Sequence, residues 1–482
     1  MSNETLLEPL ERLDLRKNRS VGEIVAAMSR SSFGARMLGE VAFKLRRWIE
    51  EGQTIRVVYD GSELRDVFVR MQSAGWIRDV SRAEDIGRTA APGEKYLVVG
   101  RYSEAADRTI HQLADAVFIN KEELSRPGQI RDGYFPDAVF ADPTYVLPVL
   151  RCALDEWLNH KRSSVENLFD EIGAWPFGRS VISGAARLVD MTSDPECVTF
   201  LTLSGAMTIA KMAFVICDMI DLGMVHGISS TGALMAHGLI EGVGLRHYKH
   251  NPAHSDLFLA EHKLNRVTDT LEPEENFTHI EHIVDEVLWT FDSTNPISPS
   301  QFHAAIGKYL AERFPGERGI LKSAYLRKVP VLCPAFVDSE IGNDLYVHNE
   351  RRRRQGLQPL IVWPELDSAL LIRMMTETPR AGIFSVGGGV PRNNTQNVAP
   401  LIEIANERLG SDLPPRMFSY GCRIAPDAMH TGHLSGCTYS ENGSWRKMDI
   451  EHGRFAEIRA DATQVWPFIV RYAMDRKETA TE

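Results

Sequence analysis

VTFLTLSGAM, residues 198–207, reads as a buried strand that runs into a turn of small residues and then a helix, expected from about 207 to 222. The pattern recurs downstream. MVHGISSTGA (224–233) is a second strand ending in small residues, and VPVLCPAF (329–336) leads into VDSEIGND (337–344). AGIFSVGGGVPRNNTQN (381–397) places three glycines between a strand and a helix expected over 398–408. RMFSYGCRI (416–424) is another strand, and AEIRADATQVWPFIVRYAM (456–474) is a strand, an acidic turn and a closing helix. Strands alternating with helices predict an α/β fold built on a doubly wound, mostly parallel sheet. The strands end in Ser204-Gly205, Ser230–Ala233, Asp338, Gly387–Gly389 and Asp461. Such ends sit where an open parallel sheet binds ligands, with helix N-terminal amides facing phosphates, so a dinucleotide-like ligand is expected along that edge. Asp338 and Asp461 are candidates for ribose hydroxyls, with helix N-capping as the alternative. No GxGxxG fingerprint exists, so the ordinary Rossmann reading is not supported.

Upstream, residues 1–150 are expected to form an additional N-terminal α/β region and residues 151–482 the main domain. Helical spacing runs from Ser20 to Glu51, followed by the strand TIRVVYDG (54–61), a helix, KYLVVG (95–100), a helix near 103–115 and DAVFIN (115–120). Residues 121–143, rich in Pro and Gly, read as a linker. Ser20-Val21 and Ser164-Val165 lie 144 positions apart, as do Phe33-Gly34 and Phe177-Gly178, and Asp60-Gly61 and Ser204-Gly205. The register suggests a degenerate partial repeat, of which the first copy lacks a Gly-rich phosphate loop.

Composition narrows the class. The 482 residues carry a net charge of −11, which argues against nucleic acid as a partner. The four arginines 351–354 read as a solvated face or a subunit contact. Six scattered cysteines without a CxxC pair fit buried thiols in a reducing compartment, and no apolar run suits a membrane span, so a cytoplasmic protein is expected. The histidines of 245–282 follow no zinc spacing, and no metal site is expected.

The stretch TGHLSGCTYSENGSWRKM, residues 431–448, is the candidate catalytic segment. Its glycines predict an ordered loop. Lys447 follows Trp445 by two positions, with Glu441 further back. A lysine buried against an indole loses its proton more readily and gains a lone pair for imine chemistry; the alternative is a solvated surface lysine.

TLSGAM (202–207), STGALMAHG (230–238), PAFVDSEIG (334–342), GGGVPRNN (387–394), HLSGCTYSENGSWRK (433–447) and ADATQVWP (460–467) together resemble the deoxyhypusine synthase family over about residues 165–474, in its bacterial and archaeal deoxyhypusine-synthase-like, homospermidine-type branch. The resemblance implies that family's sheet, NAD as cofactor, a homotetramer and a small-molecule amine substrate. It implies a transferase: NAD takes a hydride from the carbon beside an amine nitrogen, a lysine holds the aminobutyl-type group as an imine, and an acceptor amine displaces it. Lys447 matches the imine-forming lysine, Trp445 the adjoining tryptophan and Glu441 the carboxylate that steadies the substrate. Ser204, Thr231, Asp338, Gly388, Gly389, Asp461 and Ala462 match the NAD contacts, with Gly205, Gly232 and Ala233 beside them. His237, Asn343, Asn393 and Leu434 fall on the substrate side but replace acids or a histidine, and Arg446 replaces a glycine. A polyamine, diamine or agmatine substrate is therefore expected. The alternatives are a synthase that modifies a protein lysine, or a non-catalytic member that binds NAD or amine.

Overall fold

The computed structural model describes residues 7–59, 64–81, 93–100, 115–120 and 137–481. The chain forms two compact units, Arg16–Ile182 and Ser183–Glu482, the latter taking in Met1–Leu15. The division expected between residues 150 and 151 falls inside the helix Pro143–Asn159.

In the unit Arg16–Ile182, the helical run expected from Ser20 to Glu51 is two helices, Val21–Met28 and Phe33–Glu50. Ser20 caps the first in a reciprocal capping box with Glu23. The strands β1 (Ile55–Tyr59), β2 (Ile77–Ser81), β3 (Lys95–Val99), β4 (Ala116–Asn120) and β5 (Ala138–Phe140) form one sheet in the order β2-β1-β3-β4-β5. Every pair in it is parallel. β2 and β5 escaped the sequence reading, the first because IRDVS is half polar, the second because its three residues end a Pro/Gly-rich stretch. Asp60-Gly61 and the helix expected near 103–115 lie outside the described residues.

The second unit holds β6 (Cys197–Leu203), β7 (Gly227–Ser230), the small antiparallel strands β8 (Tyr248–Lys249), β9 (Leu264–Val267) and β10 (Thr270–Pro273), then β11 (Val331–Leu332), β12 (Arg380–Val386), β13 (Tyr420–Ile424) and β14 (Arg454–Ile458). Its main sheet runs β11-β7-β6-β12-β13-β14, all parallel. β6 is buried along its whole length, as a parallel strand covered on both faces should be. From β6 the chain winds outward through β7 to β11, then crosses back to β12 and winds the other way. The direction of winding reverses between β6 and β12, the point at which doubly wound sheets open a crevice.

Local differences from the sequence reading have local causes. The helix expected from about 207 begins only at Ala213, because Lys211 takes a left-handed φ of +70°. A helix, Gly389–Gln396, starts within the glycine run itself, ahead of the expected one, found at Val398–Leu409. The segment 431–448 is not an irregular loop throughout: Thr438 caps a short helix, Tyr439–Ser444, by accepting from the Glu441 amide. The hairpin β9-β10 went unseen among the histidines.

Candidate active site

All six parallel strands of the main sheet end on one edge, so the residues that follow them line up there. Ser204 follows β6 and Gly387–Gly389 follow β12, on either side of the winding reversal. The Gly388 amide donates to the Ser204 hydroxyl at 2.8 Å. A Cβ on Gly387 would collide with that hydroxyl, and one on Gly388 with Ser435 Cα. Gly389 has φ +64° and open space where a Cβ would stand, at the start of its eight-residue helix. Gly205 also lies in the left-handed region, at φ +74°. Beside this crevice, Thr231 occupies the N-cap position of the helix Gly232–Gly242, and a Cβ on Gly232 would strike Ser339. The backbone of Gly232 thus lies against the segment that carries Asp338.

The two aspartates part company. Asp461 accepts from the amide and hydroxyl of Thr463, at 2.8 and 2.9 Å, and so caps the helix that begins at Ala462. Asp338 caps nothing: Ser339 takes that part for the helix Glu340–Arg354, which leaves the Asp338 side chain exposed.

Lys447 is 6% exposed, and its Nζ donates to Asn393 Oδ1 at 2.8 Å. Burial pushes its pKa below that of an ordinary lysine. Nζ lies 5.6 Å from the Trp445 ring centroid, but the indole is 64% exposed, so it covers the lysine without sealing it. Arg446 has a left-handed φ of +54°, which suits the glycine it replaces, and its side chain turns outward to Glu403 at 3.2 Å. The extra cation therefore points away from the lysine. Glu441 is exposed on the short helix, and Leu434 is 44% exposed in the turn Leu434–Gly436. Asn343 is exposed on the helix Glu340–Arg354.

Several supporting residues were not legible in the sequence. Arg392 is buried, donates to the Cys437 carbonyl at 2.8 Å and stacks over Tyr439, which ties the helix Gly389–Gln396 to the lysine segment. The spacing of GGGVPRNN carried it, but nothing marked the arginine as more than a surface cation. His237 Nδ1 lies 3.3 Å from Glu272, and behind that pair stand His247, Glu241 and Lys211, all buried. Lys211 Nζ is 2.7 Å from Glu241 and 2.6 Å from His247 Nδ1, while His247 Nε2 rests against Glu272. Burial alone would raise the Glu241 carboxyl, but Lys211 and His247 outweigh it and hold it down to about 2. His237, His247 and Glu272 lie close enough to hold a metal ion. The ammonium against His247 Nδ1 instead makes the group an ion network, since a metal-bound imidazole needs that nitrogen protonated and donating.

The family comparisons bear on this edge. A sequence profile described as DS: Deoxyhypusine synthase matches residues 167–473. The chain belongs to the deoxyhypusine synthase family. It is 31% identical over 321 residues to a deoxyhypusine synthase-like protein of Chlorobaculum parvum, covering 66% of this chain and 88% of that protein. It is 32% identical over 308 residues to a protein of Methanosarcina thermophila named probable deoxyhypusine synthase, covering 64% of this chain and 90% of that one. Membership of the family makes the chain a transferase by kinship, and the matched span contains every residue named above on the sheet edge. Among the described residues, no helix is long and apolar enough to cross a membrane.

Two measurements probe this surrounding structure. Lys211→Met strips Glu241 of its ammonium inside the protein and should cost about 3–5 kcal/mol in urea unfolding; a loss below about 1 kcal/mol would show that the network contributes little. Asp344, next to Asn343, is pushed up to about 7 by burial and by Glu281 and Glu340. Its folded pKa lies above its unfolded one, so the folded state loses stability as pH rises from about 4 to about 7, carries the full penalty above 7 and none below about 4. Asp344→Asn should raise Tm by about 2 °C at pH 8 and leave it unchanged at pH 4; an equal effect at both would remove the electrostatic explanation.

Proposed function

We propose that this chain is an NAD-dependent transferase that moves an aminobutyl-type group between amines through an imine on Lys447. The observation that carries the reading is a desolvated lysine, held by Asn393, on the same sheet edge as a glycine turn opened by the winding reversal. The residues suit NAD. Gly389, with open space beside it at a helix start, leaves room for a pyrophosphate against the first-turn amides, while Gly388 is tied to Ser204, and Asp338 offers an exposed carboxylate for ribose hydroxyls. Ser204, Gly205, Thr231, Gly232, Ala233, Asp461 and Ala462 complete the proposed contacts. Bound there, NAD would accept a hydride from the carbon beside the substrate nitrogen and later return it.

The chain's own residues do the rest. Lys447 adds through its neutral Nζ to the substrate C=N carbon, and the original amine leaves with a proton. Asn393 accepts the Nζ hydrogen bond and aims the lone pair. An acceptor amine then adds to the lysine imine and Lys447 leaves as the free amine, so the nitrogen count balances and NAD is not consumed. Trp445 and Glu441 border the amine. Asn343, Asn393 and Leu434 provide no carboxylate where the resemblance implies a more ionic pocket, which favours a diamine, polyamine or agmatine over a protein lysine. Val337, Val390, Leu434 and Trp445 are exposed apolar groups around this edge, a rim that a second copy in a homotetramer would cover.

Lys447→Ala should lower transfer by on the order of a thousandfold while NAD binding stays within about twofold, because only the covalent step is lost. Activity within a few-fold of the parent would end the proposal. In the parent, the acid limb of the pH–rate profile should fall below the ~10.4 of an ordinary lysine.

A further inference from the structure

The unit Arg16–Ile182 and the catalytic sheet share more than a resemblance of class. The helices Val21–Met28 and Val165–Ile172 are both eight residues long, and each is capped by a serine in a reciprocal capping box, Ser20 with Glu23 and Ser164 with Asn167. The helices that follow, Phe33–Glu50 and Pro176–Ser193, both have eighteen residues. Each pair leads to a central strand, β1 or β6. From there the two sheets take the same path. The order β2-β1-β3-β4-β5 matches β7-β6-β12-β13-β14, parallel throughout, with the winding reversed at the same place; among the described residues β11 alone lacks a counterpart.

Detail at the strand ends repeats as well. β3 ends in Val99-Gly100 and β12 in Val386-Gly387, with the glycines at φ +96° and +78°. Gly100 donates to the Ile119 carbonyl of β4 at 3.0 Å, and Gly387 to the Ile424 carbonyl of β13 at 2.8 Å. After the last strand come ADPTYVLP (141–148) and ADATQVWP (460–467), alike at Ala, Asp, Thr, Val and Pro. Asp142 accepts from the amide and hydroxyl of Thr144 at 3.0 and 2.6 Å, as Asp461 does from Thr463. Both helices carry an interior proline, Pro148 and Pro467. Helix lengths, strand order, a left-handed glycine and a capped, proline-bearing helix have no common physical cause that would make them coincide in one chain by packing alone.

We infer that residues 16–159 are a second copy of the catalytic fold, stripped of its chemistry, so that each chain carries one active centre. What separates the copies is the length of the connections on the carboxyl edge. Residues 82–94 join β2 to β3, where residues 231–379 join β7 to β12. That larger connection carries Thr231, His237, Asp338 and Asn343. Residues 121–137 join β4 to β5, where residues 425–453 join β13 to β14 and carry Lys447. The short segment contains Lys121 but no tryptophan, and a single glycine stands where the catalytic copy has three. The features the first copy keeps are those the backbone needs: Gly100 for its φ and Asp142 for its cap. The features it lacks are those that would meet a ligand.

The ligand arm of the test rests on the proposed function, the strand-order arm does not. An experimental structure of the full chain crystallised with NAD should show 20–59 superposing on 164–203, β1–β5 following the path of β6, β7, β12, β13 and β14, and NAD on the Ser183–Glu482 sheet alone. Titration should give one NAD per chain, unchanged in Asp142→Ala. A different strand order in the first unit, NAD bound on both sheets, or loss of NAD binding in Asp142→Ala overturns the inference. The expected strand order with NAD on neither sheet upholds the silent copy and sinks the NAD reading instead.

Discussion

The parallel pairing of β6 with β12 is the constraint on which the site depends. It joins strands far apart in sequence, in register from Cys197 opposite Arg380 to Leu203 opposite Val386. Thr202 donates to Ser385 across the pair at 2.8 Å, a buried hydroxyl contact that would be costly to leave unmade. Because the chain winds away from this pair in both directions, the connections after β6 and β12 diverge. Ser204 spans the gap between them: its amide donates to the Val386 carbonyl at 3.0 Å and its hydroxyl accepts from the Gly388 amide at 2.8 Å. Glycine is required there by space as well as by φ, since side chains at Gly387 or Gly388 would occupy Ser204 or Ser435. The lysine segment hangs from the same place: Arg392, on the helix that opens with Gly389, holds the carbonyls of Leu434 and Cys437.

The strands of the main sheet were legible because a parallel strand covered on both faces must be apolar along its length, and few other elements look like that. The candidate site was legible for a related reason: small residues at strand ends mark places where backbone must come close to something. What failed to show was structure held by long-range contacts. β5 is too short to carry a pattern, and β9-β10 lies among polar residues, so each is fixed by its neighbour rather than by its own sequence. The helix Tyr439–Ser444 contains Gly443, which argues against helix, yet the Thr438 cap and the packing of Tyr439 override it. Trp445 is the instructive case at the site. The sequence places an indole beside the lysine, but the structure leaves that ring mostly in the open and gives the desolvation of Lys447 to its wider surroundings. The hydrogen bond to Asn393, distant in sequence, could not be read at all.

Burial of charge follows two logics in this protein. Around His237 each buried carboxylate has a partner, Glu241 the Lys211 ammonium and Glu272 the His247 ring. Around Lys447 no carboxylate among the described residues pairs with Nζ, and an amide oxygen takes that place. A carboxylate would hold the proton on Nζ with an opposite charge, whereas the amide oxygen orients the nitrogen and supplies no countercharge against the cost of burial. That difference separates a lysine kept for structure from one suited to covalent chemistry.

The central claim is that Lys447 forms an imine with an amine-derived group in the presence of NAD. It is tested most directly by incubating the full chain with NAD and putrescine, agmatine or spermidine, reducing with borohydride and mapping the peptides by mass. The account predicts an added aminobutyl or guanidinobutyl mass on the peptide containing Lys447, with at least one of the three amines and only when NAD is present. No adduct with any of them, or an adduct confined to other lysines, would contradict it.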